Sequence, residues 1–127
     1  ATGAGADVAA IAAQVTDVGG ASVLTAAVPV SGEKELLAAL DGVKAKLGDA
    51  AIVLGAATDG RVMFVASVAP VLVGRGVRAG EVVKVAAEVA GGGGGGRDTM
   101  ARAGGRDPEK LAEALDAARA AIESALV

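Results

Sequence analysis

Gly91-Gly92-Gly93-Gly94-Gly95-Gly96-Arg97-Asp98-Thr99-Met100-Ala101-Arg102-Ala103-Gly104-Gly105-Arg106-Asp107-Pro108-Glu109-Lys110-Leu111 is the stretch on which the reading of this chain turns. Consecutive glycines lose the most backbone freedom on folding, roughly 1–2 kcal/mol per fixed residue, so an ordered run of them requires a compensating contact. Close approach of another chain or of an anion supplies one, because backbone N–H groups without Cβ atoms can turn into a nest that receives a phosphate or carboxylate oxygen. Arg97, Arg102 and Arg106 follow directly, and each guanidinium can fork onto phosphate. A flexible tether is the ordinary use of a glycine tract. Here the second pair, Gly104-Gly105, and the capped helix directly after it point instead to a shaped loop, strand and turn. A dinucleotide fingerprint is set aside, since any such run matches G-x-G-x-x-G and a helix precedes it where a strand is required. No Gly-Lys-Ser/Thr follows to make a P-loop.

Downstream of the glycines, Thr99 to Ala103 is long enough for a short strand. Asp107-Pro108-Glu109 then opens a helix with Asp107 as N-cap and proline at its first position. Leu111, Leu115, Ala118, Ile122 and Ala125 or Leu126 form one stripe along it. Asp107 and Glu109 already place negative charge at that N-terminus, so an external phosphate is expected at the glycine run and the arginines rather than there.

Upstream, Arg78 to Ala90 reads as a helix that buries Val82, Val83, Ala86 and Val89, with Glu81, Lys84 and Glu88 outward. Pro70 to Gly76 is a turn or one helical turn. Ala51–Ala57 and Arg61–Val68 are two apolar runs joined at Asp59-Gly60, a strong hairpin signal, and their successive apolar residues predict strands buried on both faces. Ser31, as N-cap, opens a helix with Leu36, Leu37, Leu40, Val43 and Leu47 on one side and Gly48 at its end. Ala21 to Val28 alternates as a strand ended by Pro29. Thr2 to Val15, with Val8, Ile11 and Val15 on one face, reads as the tail of a preceding helical segment, and Gly19-Gly20 marks a boundary. The expectation is therefore a tail over 1–19 and a globular domain over 20–127. That domain is of the α/β or α+β class: a small mixed sheet of about four strands covered by helices, with a Gly-rich loop and a long C-terminal helix.

Composition narrows the chemistry. The 127 residues include no cysteine and no histidine, and Phe64 is the single aromatic, so the core must be built from Val, Leu, Ile and Ala. A disulfide framework, a thiolate nucleophile, a Ser-His-Asp triad and an ordinary zinc site are all excluded. No catalytic or metal-ligating set emerges from what remains: the acids form no defensible dyad, and Ser31 and Thr99 have no base. The longest uncharged stretch, Val18 to Gly32, contains Pro29 and falls short of the ~20 residues that span a bilayer. With no signal-like N-terminus, a soluble, cytoplasmic chain without membrane attachment is expected. The net charge of −3 conceals a split. From Arg61 to Arg106, seven cations face three anions, while the rest of the chain carries five cations and twelve anions. A basic surface on an acidic body is expected.

The segment Gly74-Arg75-Gly76-Val77-Arg78-Ala79-Gly80-Glu81-Val82-Val83-Lys84, the helix after it, and Gly91 to Leu111 resemble the C-terminal domain of bacterial alanyl-tRNA synthetases, a domain of the DHH-associated type. The resemblance covers roughly residues 20–125. It departs from the family at Asp98-Thr99, where Pro-Asp is frequent, and at Arg102, where Gln or a similar polar residue is. The resemblance implies a module that docks the outer corner of alanine-specific tRNA so that upstream aminoacylation and editing domains can act on it. Catalysis, and the ATP, magnesium and zinc sites, would lie upstream, with no cofactor in this chain. Together with the glycine run and the basic segment, the resemblance makes Arg75, Arg78, Lys84, Gly91, Gly92, Gly93, Gly94, Gly95, Gly96, Arg97, Arg102 and Arg106 the expected RNA-contacting set.

Two other uses compete with this one. One is a dimerisation or scaffold module of the same enzyme, resting on the Leu111–Leu126 stripe as a homodimer seam. The other is a single-stranded nucleic-acid-binding domain of a DHH phosphoesterase, whose Gly-Gly-Gly-His motif is not met because Arg97 follows the glycines.

Overall fold

The computed structural model describes residues 8–28, 30, 32–58 and 60–126. A short helix α1 (Val8–Ala12) leads into strands β1 (Thr16–Val18) and β2 (Ala21–Ala27), helix α2 (Glu33–Leu47), and strands β3 (Ala50–Thr58) and β4 (Arg61–Val68). Helices α3 (Pro70–Val73) and α4 (Ala79–Val89) follow, then β5 (Gly93–Gly96), β6 (Met100–Gly105), a 3-10 turn (Pro108–Lys110) and α5 (Leu111–Leu126). One six-stranded sheet runs in the order β1-β2-β3-β4-β6-β5. Only β2 and β3 are parallel, joined by α2 as crossover, and every other neighbour is antiparallel.

Burial explains the layers. Alternate residues of β3 and β4 feed two separate cores, so these central strands are apolar throughout, as expected for strands covered on both faces. One core gathers Val53, Phe64 and Ala66 against α3, α4 and α5; the other gathers Ile52, Leu54 and Val65 against α1 and α2. Phe64 is fully buried, contributing about 2–3 kcal/mol by its transfer from water. Leu36, Leu40 and Val43 of α2 are fully buried, and of the final helix's stripe Leu115, Ala118, Ile122 and Leu126 are buried, with Leu111 and Ala125 packed against the same core. That stripe is used by the chain's own sheet and is not an exposed dimer seam.

The mixed class holds, with more strands than expected. The two extra strands are the edges, and neither carries a pattern. β1 has three residues, too few for alternation to register, and β5 is all glycine, whose strand propensity is among the lowest. Four of the six glycines expected in a loop are therefore strand. The strand expected over Thr99–Ala103 starts at Met100 and runs on to Gly105, because Arg97 N–H donates to the Met100 carbonyl at 2.8 Å and closes a turn that consumes Asp98 and Thr99. Thr58 and Arg61 pair across the expected hairpin turn, of which Asp59 lies outside the described residues. Ser31 and Pro29 lie outside them too; the residue before α2 is Gly32, with extended backbone. Asp107 makes no side-chain cap, because the chain enters α5 through the 3-10 turn rather than directly. Of the expected N-terminal helix only Val8–Ala12 forms among the described residues, and Gly19-Gly20 turns the β1–β2 hairpin.

Candidate nucleic-acid interface

The glycine run sits at an edge of the sheet. Helix α4 ends at Ala90, Gly91 takes a positive φ of 77°, and Gly92 N–H donates to the Ala87 carbonyl at 2.8 Å before the chain reverses into β5. Pairing with β6 sets Gly93 opposite Gly104, Gly94 opposite Ala103, Gly95 opposite Arg102 and Gly96 opposite Ala101. Because a strand alternates its faces, this register divides the glycines into two rows.

The Gly92, Gly94 and Gly96 row has no room. A Cβ on Gly92 would fall on the Gly104 carbonyl oxygen, one on Gly94 would come within 2.5 Å of the Ala103 Cβ and the Arg102 carbonyl oxygen, and one on Gly96 within 2.8 Å of the Ala101 Cα. Helix α4 covers this face and approaches through Gly80, where an added Cβ would come within 3.0 Å of the Gly96 carbonyl oxygen. Gly93 and Gly95 belong to the other row, and a Cβ there would meet nothing within 4 Å.

That open row shares its face with Met63 and Gly104, and with Val65 and Arg102, on the neighbouring strands. It is the α2 face, but α2 lies over β3 and β4 and meets this part of the sheet at its margin, through Glu33 and Leu37. The result is a strip of bare peptide with two hollows. The larger, about 1010 Å³, is lined by Arg61, Met63, Gly91, Gly92, Gly93, Gly104, Gly105 and Arg106, among others. The smaller, about 380 Å³, is lined by Leu37, Gly95, Gly96, Arg97, Met100, Ala101 and Arg102. Arg102 is held at the rim by Glu33, the first residue of α2, with 3.0 Å between Nη1 and Oε1. Among the described residues Arg61, Arg97 and Arg106 form no ion pair and are free to meet an anion.

The expected set thus separates. Gly93 and Gly95 face the strip, Gly91, Gly92, Gly96, Arg97, Arg102 and Arg106 border its hollows, and Gly94 is turned against β6 on the packed side. Arg75 does not: its guanidinium Nη2 donates to the carbonyls of Gly19 at 2.9 Å and Leu126 at 3.3 Å, tying the β1–β2 turn to the end of α5. Arg78 lines a separate hollow between α4 and α5, and Lys84 projects from α4 on the covered face of the sheet. Arg61, Met63 and Gly104 complete the strip and escaped the sequence reading of the site. Arg61 follows the hairpin turn and Gly104 belongs to the second glycine pair, but only the β4–β6–β5 pairing brings them beside Gly93.

Comparison with known proteins identifies the family and the fold. Residues 20–124 match the DHHA1 domain family model. The chain is 48% identical over 113 residues to an alanine–tRNA ligase of Bacillus pumilus, and 48% identical over 117 residues to that of Bacillus subtilis. These alignments take in 89% and 92% of the chain but 13% of either relative, so the chain spans about an eighth of their length. The fold is shared with the C-Ala domain of Aquifex aeolicus alanyl-tRNA synthetase, at a TM-score of 0.72 and 24% identity over 86% of this chain and 97% of that one. By sequence and by architecture, the chain belongs to the DHHA1 domain family.

Proposed function

We propose that this chain is the tRNA-binding C-terminal module of an alanine–tRNA ligase, non-catalytic itself, holding the outer corner of alanine-specific tRNA for upstream aminoacylation and editing domains. The observation that carries the reading is the strip at Gly93, Gly95 and Gly104. It is open backbone at the sheet edge, lined by Arg61, Arg97, Arg102 and Arg106, next to a body whose other charges are mostly acidic. Bare peptide lets a sugar–phosphate backbone come into contact without side-chain obstruction, and guanidinium groups give directional bonds to phosphate. Phe64 is buried, so recognition rests on phosphate, 2′-hydroxyl and shape rather than on aromatic stacking. Cofactor chemistry, with ATP, magnesium and zinc, belongs in this reading to the parent enzyme. A cytoplasmic setting is part of the same proposal; among the described residues no helix is long and apolar enough to cross a membrane.

Titration of tRNA against the wild type and an Arg97→Glu/Arg102→Glu/Arg106→Glu variant tests this. Each phosphate neutralised contributes a slope of about −0.7 to −0.9 to log affinity against log salt, so the variant should bind more weakly with a slope shallower by roughly 2. Equal binding by the two proteins, or none by either at low salt, would overturn the reading.

A further inference from the structure

A third hollow, about 360 Å³, opens on the same sheet face beyond the far end of β5, under the C-terminal end of α2. Met100 and Pro70 contribute apolar wall, and Lys44, Asp49, Ser67 and Thr99 the polar side. Ser67 is the one buried polar side chain among the described residues, 4% exposed, and its hydroxyl has no hydrogen-bond partner there. A buried hydroxyl without a partner is costly, so one left facing a hollow calls for a ligand or a water. Ser67 is also the cross-strand partner of Met100, and Met100 lines both this hollow and the one at Gly95, Gly96 and Arg97. The turn from Arg97 to Met100 thus gives Arg97 to the arginine strip and Thr99 to the hollow at Ser67.

We propose that this hollow receives one unstacked purine or pyrimidine base from an RNA strand whose phosphates lie on the arginine strip; it rests on the function proposed above. Apolar walls suit the faces of a heterocycle, while hydroxyls that both donate and accept suit its edge. A phosphate is the poorer occupant. The carboxylate of Asp49 and the negative end of α2, whose C-cap Gly48 borders the hollow, both oppose it and offset the one ammonium there, that of Lys44. The volume lies within the range of small-ligand pockets and is ample for a single base. With no exposed aromatic ring in the chain, this is where a base finds apolar cover.

The test is a titration of the 15N-labelled chain with phosphate-free adenosine and uridine, followed by amide chemical shifts. Saturable shifts are expected at Ala50, Ser67 and Thr99, and weakened most in Ser67→Leu, which puts an apolar side chain where the base edge would bond. In Ser67→Ala they should persist with affinity weakened several-fold and a thermal midpoint within a degree or two of wild type. A Ser67 that only met a structural need would instead lower the midpoint on losing its hydroxyl. The absence of saturable shifts, or unchanged nucleoside affinity in Ser67→Ala, would overturn the proposal even if Ser67→Leu fails to fold, and would leave a water as the hydroxyl's partner. The two readings separate cleanly. If tRNA binds but nucleosides do not, the base pocket falls alone; if nucleosides bind at Ser67 but tRNA does not, the tRNA reading falls and the hollow stands as a nucleoside site.

Discussion

Two rows of glycine in one strand, a residue apart, are bare for different reasons. On the α4 side Gly92, Gly94 and Gly96 meet β6 and the helix so closely that a Cβ at any of them would clash with backbone or side-chain atoms. On the other side Gly93 and Gly95 have free space where a side chain would go. Packing requires the first row and says nothing about the second. Glycine inside a strand costs about 0.5–1 kcal/mol relative to alanine, so the open row carries a penalty that the fold does not explain. On the function proposed above, that contrast marks a surface kept smooth for contact.

The comparison breaks most visibly at the packed row. Gly94→Val should destabilise the chain by about 2–3 kcal/mol, the usual scale of overpacking, and lower the thermal midpoint by roughly 10 °C. A midpoint near wild type would mean that β5 moves off β6 at little cost, and the distinction between rows would be lost. Next in size is the open row. Gly93→Ala/Gly95→Ala should keep or raise stability, by up to about 1 kcal/mol, while tRNA binding weakens several-fold in the same sample. Unchanged tRNA affinity would show that nothing touches this face closely. The smallest effect is at the rim. The Arg102–Glu33 pair is half exposed on both sides, so Glu33→Gln should change stability by less than about 1 kcal/mol. Releasing Arg102 and removing an anion should raise tRNA affinity up to about threefold at low salt. A fall in affinity would instead assign Glu33 the task of aiming Arg102 at the strip.

What could be read without coordinates follows from side-chain pattern. The hairpin at Gly60, the doubly buried strands and the apolar stripes of α2, α4 and α5 all announce themselves through apolar spacing. β5 cannot, since glycine has no side chain to alternate, and three residues at β1 are too few to show a period. The site divides along the same line. Gly91 to Gly96, Arg97, Arg102 and Arg106 are close in sequence and stay close in space. Arg61 and Met63 join them only because β6 inserts between β4 and β5, a strand order that no local pattern encodes. Arg75 was grouped with the basic segment by proximity in the chain, whereas its partners are Gly19 and Leu126, 56 and 51 positions away.

The clasp made by Arg75 has a topological corollary. One guanidinium holds carbonyls from Gly19 and Leu126, so the two limits of the family-matched segment are neighbours in space. A short peptide suffices to join them, and opening the chain at Gly48, in the exposed turn between α2 and β3, would yield a circular permutant that sheds α1 and β1, keeps the order β2-β3-β4-β6-β5 and leaves the arginine strip away from the new ends.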